Sequence, residues 1–154
     1  MNTFFTVLKF VAISLLAGYL SMLLQREPLE VWYPMLRKSS LTPPGYVFAI
    51  VWSILYVLMG VSVALVSRAR TNYSWVLVLL FYLQLLLNLM WSFCFFFLKM
   101  PLLALVVLIA LLLCVAAYVS GAYARHRWAS LLNVPYLLWL LFAAYLNGYV
   151  VLFN

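Results

Sequence analysis

Pro43-Pro44-Gly45-Tyr46-Val47-Phe48-Ala49-Ile50-Val51-Trp52-Ser53-Ile54-Leu55-Tyr56 is a stiff turn that runs directly into a long apolar segment. Proline is accommodated in the first turn of a helix, where its missing N–H has no partner to lose, so Pro43-Pro44 predicts a fixed entry into a helix. Inside that helix Phe48, Trp52 and Tyr56 recur at four-residue spacing, which lines three rings along one face. Such a face fits a binding wall or plain packing. The partners that other segments bring decide between them.

Composition sets the compartment. The chain of 154 residues is 70% hydrophobic and 7% charged, with a mean hydropathy of +1.19. Soluble domains are about 45–50% apolar and about 25% charged. A water-soluble fold of this length cannot hide so much apolar surface, so the chain reads as an integral, multi-pass membrane protein. The formal charge of +7 comes from nine Lys and Arg scattered between apolar runs, as membrane-flanking cations are, and not gathered into a phosphate-tracking patch. Nucleic acid is therefore not an expected partner; the lipid bilayer is. Cys94 and Cys114 both fall inside apolar segments and read as small buried hydrophobes, with no metal site implied.

The expected architecture is an all-α bundle of five transmembrane helices forming a single domain over residues 1–154. The spans are read at 3–24, 46–67, 75–98, 101–123 and 128–153. A helix of about 22 residues covers about 33 Å, enough for a hydrocarbon core of about 30 Å. Lys9 interrupts the first run near its start and resembles the basic end of a signal peptide, but a retained first span is expected. Span four carries no strong hydrogen-bonding side chain before Ser120 and reads as lipid-facing scaffold. Cations divide almost evenly between the two sides. Lys9, Arg68, Arg70, Arg125 and Arg127 lie with the N-terminus and Arg26, Arg37, Lys38 and Lys99 lie opposite, a slight lean toward an internal N-terminus.

The connection from Gln25 to Gly45 is the longest, and it holds both acids of the chain, Glu27 and Glu30, together with Trp32, Tyr33 and Pro34. Long connections in helical bundles often act as lids or binding loops, whereas most run to about 2–8 residues. An interfacial aromatic anchor is the plainer reading of the same residues.

Polar side chains are costly in a bilayer and turn toward the bundle interior. In span three, Gln84 and Asn88 share a face with Trp91 and Phe95. In span five, Tyr136, Trp139, Ala143 and Asn147 share another. Together with Phe48, Trp52 and Tyr56 they supply three aromatic faces with a few amide handles, the composition of a small-molecule pocket. Hydrogen bonding between helices accounts for the amides equally simply. No Asp, Glu or Arg lies within a span, which leaves a proton- or ion-coupled pump without a charge carrier. The single histidine, His126, sits in a loop between two arginines. No Ser-His-Asp set, carboxylate pair or Gly-rich phosphate loop is present, so conventional acid–base or nucleophilic catalysis has no residues to use.

These residues resemble the translocator protein family, whose bacterial members are the tryptophan-rich sensory proteins (TspO/MBR). The likeness rests on Pro43-Pro44-Gly45 with Phe48, Trp52 and Leu55-Tyr56, and on Gln84-x-x-x-Asn88-x-x-Trp91-Ser92. It continues with Pro135-Tyr136-Leu137-Leu138-Trp139 and Phe142-Ala143-x-x-Leu146-Asn147, and Trp32-Tyr33 precedes the proline pair as in the family. It covers essentially the whole chain and identifies it as a member of bacterial type, in a cell membrane.

The resemblance implies a bundle whose first loop folds over a pocket that opens to one side. The implied ligands are porphyrins such as protoporphyrin IX and synthetic isoquinoline or benzodiazepine-type compounds, with no cofactor required. It assigns ligand contacts to Tyr33, Pro43, Pro44, Phe48, Trp52, Tyr56, Asn88, Trp91, Trp139, Ala143 and Leu146, to which the polar face of span three adds Gln84. Trp52 and Trp139 match positions implicated in light-dependent porphyrin degradation, which would make them the catalytic residues of any such activity. A sensory or receptor role is the leading expectation, and a transporter or exchange protein without chemistry is the alternative. The chain departs from the family at Lys38-Ser39-Ser40-Leu41-Thr42, where members often have Lys-Pro followed by a Trp. It also has no cation after Tyr145 and Tyr149, so the cholesterol motif of vertebrate members is incomplete and cholesterol is not an expected partner. The family commonly forms homodimers, yet span three has no small-xxx-small run. Ser14/Gly18, Gly60/Ala64, Ala117/Gly121 and Ala144/Gly148 offer such spacing for close packing elsewhere.

Overall fold

The computed structural model describes residues 2–69 and 71–154. Five helices form the protein: α1 (Thr3–Val31), α2 (Gly45–Arg68), α3 (Ser74–Ser92), α4 (Pro101–Tyr123) and α5 (Arg127–Phe153). A π-helical turn, Phe93–Phe97, continues α3, and a short 3-10 turn, Tyr33–Met35, follows α1. Each of the five is long and apolar enough to cross a membrane, with α3 counted together with its π turn. Their mutual contacts place them in the ring order α1, α2, α5, α4, α3, with α2 also touching α3 across the centre. One end of the bundle carries the α1–α2 connection and the α3–α4 break; the opposite end carries the two remaining turns. Arg70, one of the cations weighed for orientation, lies outside the described residues.

The first helix is longer than its apolar run. The expected span ends at residue 24, where charge begins, but the helix continues through Gln25, Arg26, Glu27 and Glu30 to Val31. These are good helix formers, so the backbone stays helical after the side chains turn polar. The connection is correspondingly shorter than read from sequence, covering residues 32–44. Its start is set by Trp32, whose N–H donates to the Pro28 carbonyl at 3.0 Å.

The α3–α4 break also has a local cause. The Leu98 N–H donates to Phe93 O at 2.9 Å, the i to i−5 spacing of a π turn. Lys99 then takes a left-handed conformation with φ 55°, and Pro101 opens α4 in its first turn.

Two glycines bring α1 and α2 into contact. A Cβ on Gly60 would lie 2.5 Å from the Val11 Cα, and one on Gly18 would lie 2.5 Å from the Tyr56 ring. Two of the small-residue pairs, Ser14/Gly18 and Gly60/Ala64, therefore serve packing within this chain. The reading of span four as scaffold needs correction. Tyr118 of α4 is 1% exposed and its hydroxyl lies 2.9 Å from Ser62 Oγ. Ser62 in turn donates to the Ala129 carbonyl at 2.6 Å. Its one proton is thus used, and Tyr118 is the donor between the two hydroxyls. A phenol inside an apolar run is counted as apolar by hydropathy, although its hydroxyl bonds as a serine's does. At the same end His126 caps α5, its Nδ1 accepting from the Ala129 N–H at 3.2 Å. Trp75 and Trp128 are exposed there, where indoles suit a membrane–water boundary.

Candidate functional site

Toward the loop end the helices enclose a cavity of about 440 Å³, within the range of about 300–1,000 Å³ usual for ligand sites. Tyr33, Pro43, Phe48, Trp52, Tyr56, Asn88, Trp91, Ala143 and Leu146 line it. Phe48, Trp52 and Tyr56 form the face of α2 that lines it, below the N-cap Pro44. Trp52 and Trp91 stack at 6.4 Å between centroids with planes 28° apart. Trp91 and Phe95 continue that wall at 5.8 Å and 29°, and Tyr136 meets Trp52 edge-on at 6.0 Å. The π turn matters here, because it brings the consecutive residues Phe95 and Phe96 both onto the cavity.

Three residues expected at the site stand elsewhere. Pro44 is the exposed N-cap of α2 and does not line the cavity. Gln84 is 1% exposed and lies one helical turn deeper than Asn88. Trp139 meets Phe48 edge-on at 5.7 Å, and it lines a separate, open groove of about 400 Å³ between α2 and α5 with Ile54, Pro135 and Phe142. Phe48 therefore stands between Trp139 and the cavity.

The polar handles are neutral and mostly engaged. Tyr56 donates to Asn88 Oδ1 at 3.0 Å, and Asn88 Nδ2 donates to the Tyr136 hydroxyl at 3.2 Å. Trp91 Nε1 donates to Asn147 Oδ1 at 3.1 Å, while Asn147 Nδ2 donates to the Pro101 carbonyl at 2.9 Å. The amides thus serve both readings the sequence left open: they join helices and they face the cavity. Gln25 Nε2 donates to Ser92 Oγ at 2.8 Å, tying α1 to α3 across the lining. Lys38 is the one cationic residue among the described lining residues. Its ammonium donates to the carbonyls of Tyr33, Leu36 and Pro34 at 2.8, 3.3 and 3.4 Å, and it lies 4.8 Å from the centre of the Tyr33 ring. Burial pushes the Tyr33 phenol above its ordinary value, so it remains a neutral donor.

The connection of residues 32–44 forms a lid. Trp32 packs edge-on to Phe95 at 5.6 Å and Tyr33 meets Phe96 at 5.9 Å. Polar bonds fasten it to α5. The Arg37 N–H donates to Asn154 Oδ1 at 2.8 Å, Asn154 Nδ2 donates back to the Arg37 carbonyl at 3.1 Å, and the hydroxyls of Ser39 and Tyr145 lie 2.8 Å apart.

The contribution of α1 was not read from the sequence. Gly18, Ser21, Met22 and Gln25 line the cavity, and the signal for them was present: Ser14, Ser21 and Gln25 recur with Gly18 at helical spacing in an otherwise apolar run. Because Tyr19, Met22, Ala49 and Ser53 are lining residues that are also exposed, the cavity opens sideways between α1 and α2. Among the described residues no cluster of three His, Cys, Asp or Glu is placed to hold a metal ion.

These features define a class: a five-helix integral membrane protein with a loop-covered, aromatic cavity in one half of the bundle. The chain belongs to the TspO/MBR family, whose profile matches residues 10–152. It is 37% identical over 146 residues to the tryptophan-rich protein TspO of Chlorobaculum tepidum, covering 94% of this chain and 92% of the relative. The TspO of Archaeoglobus fulgidus is 37% identical over 160 residues, covering 96% and 98%. The tryptophan-rich sensory protein of Cereibacter sphaeroides is 36% identical over 119 residues, covering 77% and 73%.

Proposed function

We propose that the cavity binds a flat, largely apolar tetrapyrrole of the protoporphyrin IX type, and that the protein serves as a sensor or handling protein for it. The observation that carries this is the run of aromatic rings Trp52, Trp91 and Phe95 in the lining, each within about 30° of parallel to the next, a surface against which a planar aromatic ligand packs well. Tyr33, Tyr56 and Asn88 supply neutral polar contacts at the lining and Lys38 supplies one cation, which suits a mainly apolar ring that carries carboxylates at its edge. Isoquinoline and benzodiazepine-type compounds fit the same chemistry. A sensory role agrees with the name of the Cereibacter relative, a tryptophan-rich sensory protein.

Light-dependent breakdown of the ligand is a narrower version of the same reading. An indole beside a photoexcited tetrapyrrole is an electron donor that needs no acid or base, and Trp52 lines the cavity, whereas Trp139 stands behind Phe48. The sideways opening between α1 and α2 favours a second reading, exchange of the ligand with the bilayer without chemistry. A titration of the purified protein with protoporphyrin IX tests the main reading. Tryptophan fluorescence falls on binding, and Trp52→Phe weakens that response; identical titrations in the two proteins contradict the assignment. Illumination separates the versions, since a breakdown activity bleaches bound porphyrin faster than free porphyrin and an exchange protein does not.

A further inference from the structure

Lys38 differs in charge from everything around it. It is the one cationic residue among the described lining residues, and no acidic side chain is among them. The acids Glu27 and Glu30 are exposed on α1. The hydrogen bonds of the ammonium go to neutral carbonyls of its own lid, those of Tyr33, Leu36 and Pro34, at 2.8, 3.3 and 3.4 Å. A carbonyl dipole solvates a cation but does not neutralise it. A carboxylate does, and charge-assisted hydrogen bonds are shorter and about twice as strong as neutral ones. The two longer contacts are the weaker ones. Pro34 is exposed, so water takes over its carbonyl when a stronger acceptor reaches the ammonium.

The backbone that carries Lys38 is held on both sides. The Arg37 N–H and carbonyl both bond the Asn154 side chain at the C-cap of α5, at 2.8 and 3.1 Å. Ser39 is 6% exposed, and its hydroxyl lies 2.8 Å from that of Tyr145 on α5. The ammonium lies 4.8 Å from the centre of the Tyr33 ring, which is itself part of the lining. A cation ordered in advance in this way loses little freedom when an anion binds.

We propose that Lys38 determines the specificity of the cavity, selecting a planar apolar ring that bears ionised carboxylates on one edge. The inference rests on the tetrapyrrole reading above and adds an orientation to it. The acid edge lies under the lid beside Lys38, at the end of the bundle nearest water, and the apolar edge lies against Trp52 and Trp91. Ionised groups are thereby kept out of the neutral interior, where they are costly. A planar compound without a carboxylate gains nothing from Lys38.

Titration of the full chain in detergent with protoporphyrin IX and with its dimethyl ester tests this, since the ester keeps the ring and removes both charges. The quantity read is the ratio of acid affinity to ester affinity, compared between wild type and Lys38→Met so that detergent partitioning of each ligand cancels. Lys38→Met is expected to lower that ratio about tenfold by weakening the acid alone. Lys38→Arg, which keeps the charge, is expected to retain most of it. An unchanged ratio in Lys38→Met, whether both affinities stay or both fall, overturns the inference and leaves the tetrapyrrole reading in place. Wild-type protein that binds neither porphyrin overturns both.

Discussion

The two halves of the bundle are built from the same apolar helices and packed in opposite ways. Toward the turns, α1 and α2 approach backbone to backbone at Gly60 and Val11, and Ser62, Tyr118 and the Ala129 carbonyl close the interior with short bonds. Toward the loop, the helices part, rings replace aliphatic contacts, and a cavity of about 440 Å³ remains under a lid. In a bilayer, lipid competes with protein for every apolar surface, so close backbone approach and internal hydrogen bonds hold helices together. The half that has both holds the fold. The other half is free to keep space for a ligand.

Substitutions can break or sharpen that division. Gly60→Leu forces a side chain into the Val11 backbone and should cost about 3 kcal/mol or more, the upper range of overpacking, seen as loss of folded protein or a large drop in the unfolding midpoint. Trp52→Ala should reduce tetrapyrrole affinity about ten- to hundredfold, the equivalent of about 1.5–3 kcal/mol for a large buried side chain, while leaving the protein folded. Tyr118→Phe should lower stability by about 1 kcal/mol through the lost bond to Ser62, with ligand affinity unchanged. At the lid, Ser39→Ala with Tyr145→Phe should speed ligand dissociation severalfold, as one bond of about 0.5–1.5 kcal/mol predicts, with little change in unfolding. If Tyr118→Phe weakens binding as much as Trp52→Ala, the two halves are not separate.

Much of this was legible in the sequence because hydropathy reports the solvent. Long apolar runs placed all five spans to within a few residues, apart from the end of α1, where charge marks the water boundary and the helix does not stop. The aromatic faces of α2 and α3 were readable because four-residue spacing needs no tertiary knowledge. What period alone cannot give is which neighbour a face meets. Trp139 shares a face with Tyr136 and Ala143, yet the ring of Phe48 stands between it and the cavity. The π turn at Phe93–Phe97 shifts the helical register and turns Phe96 inward, which an ideal 3.6-residue period does not anticipate. The bonds from Asn154 to Arg37 join residues far apart in the chain, and no local pattern marks them.

An experimental structure of the protein with protoporphyrin IX bound tests the central claim most directly. The account predicts the macrocycle in the loop-end cavity, stacked on the Trp52–Trp91 wall beneath Tyr33. Density for the ligand in the α2–α5 groove beside Trp139, with the cavity closed or filled by side chains, would contradict it.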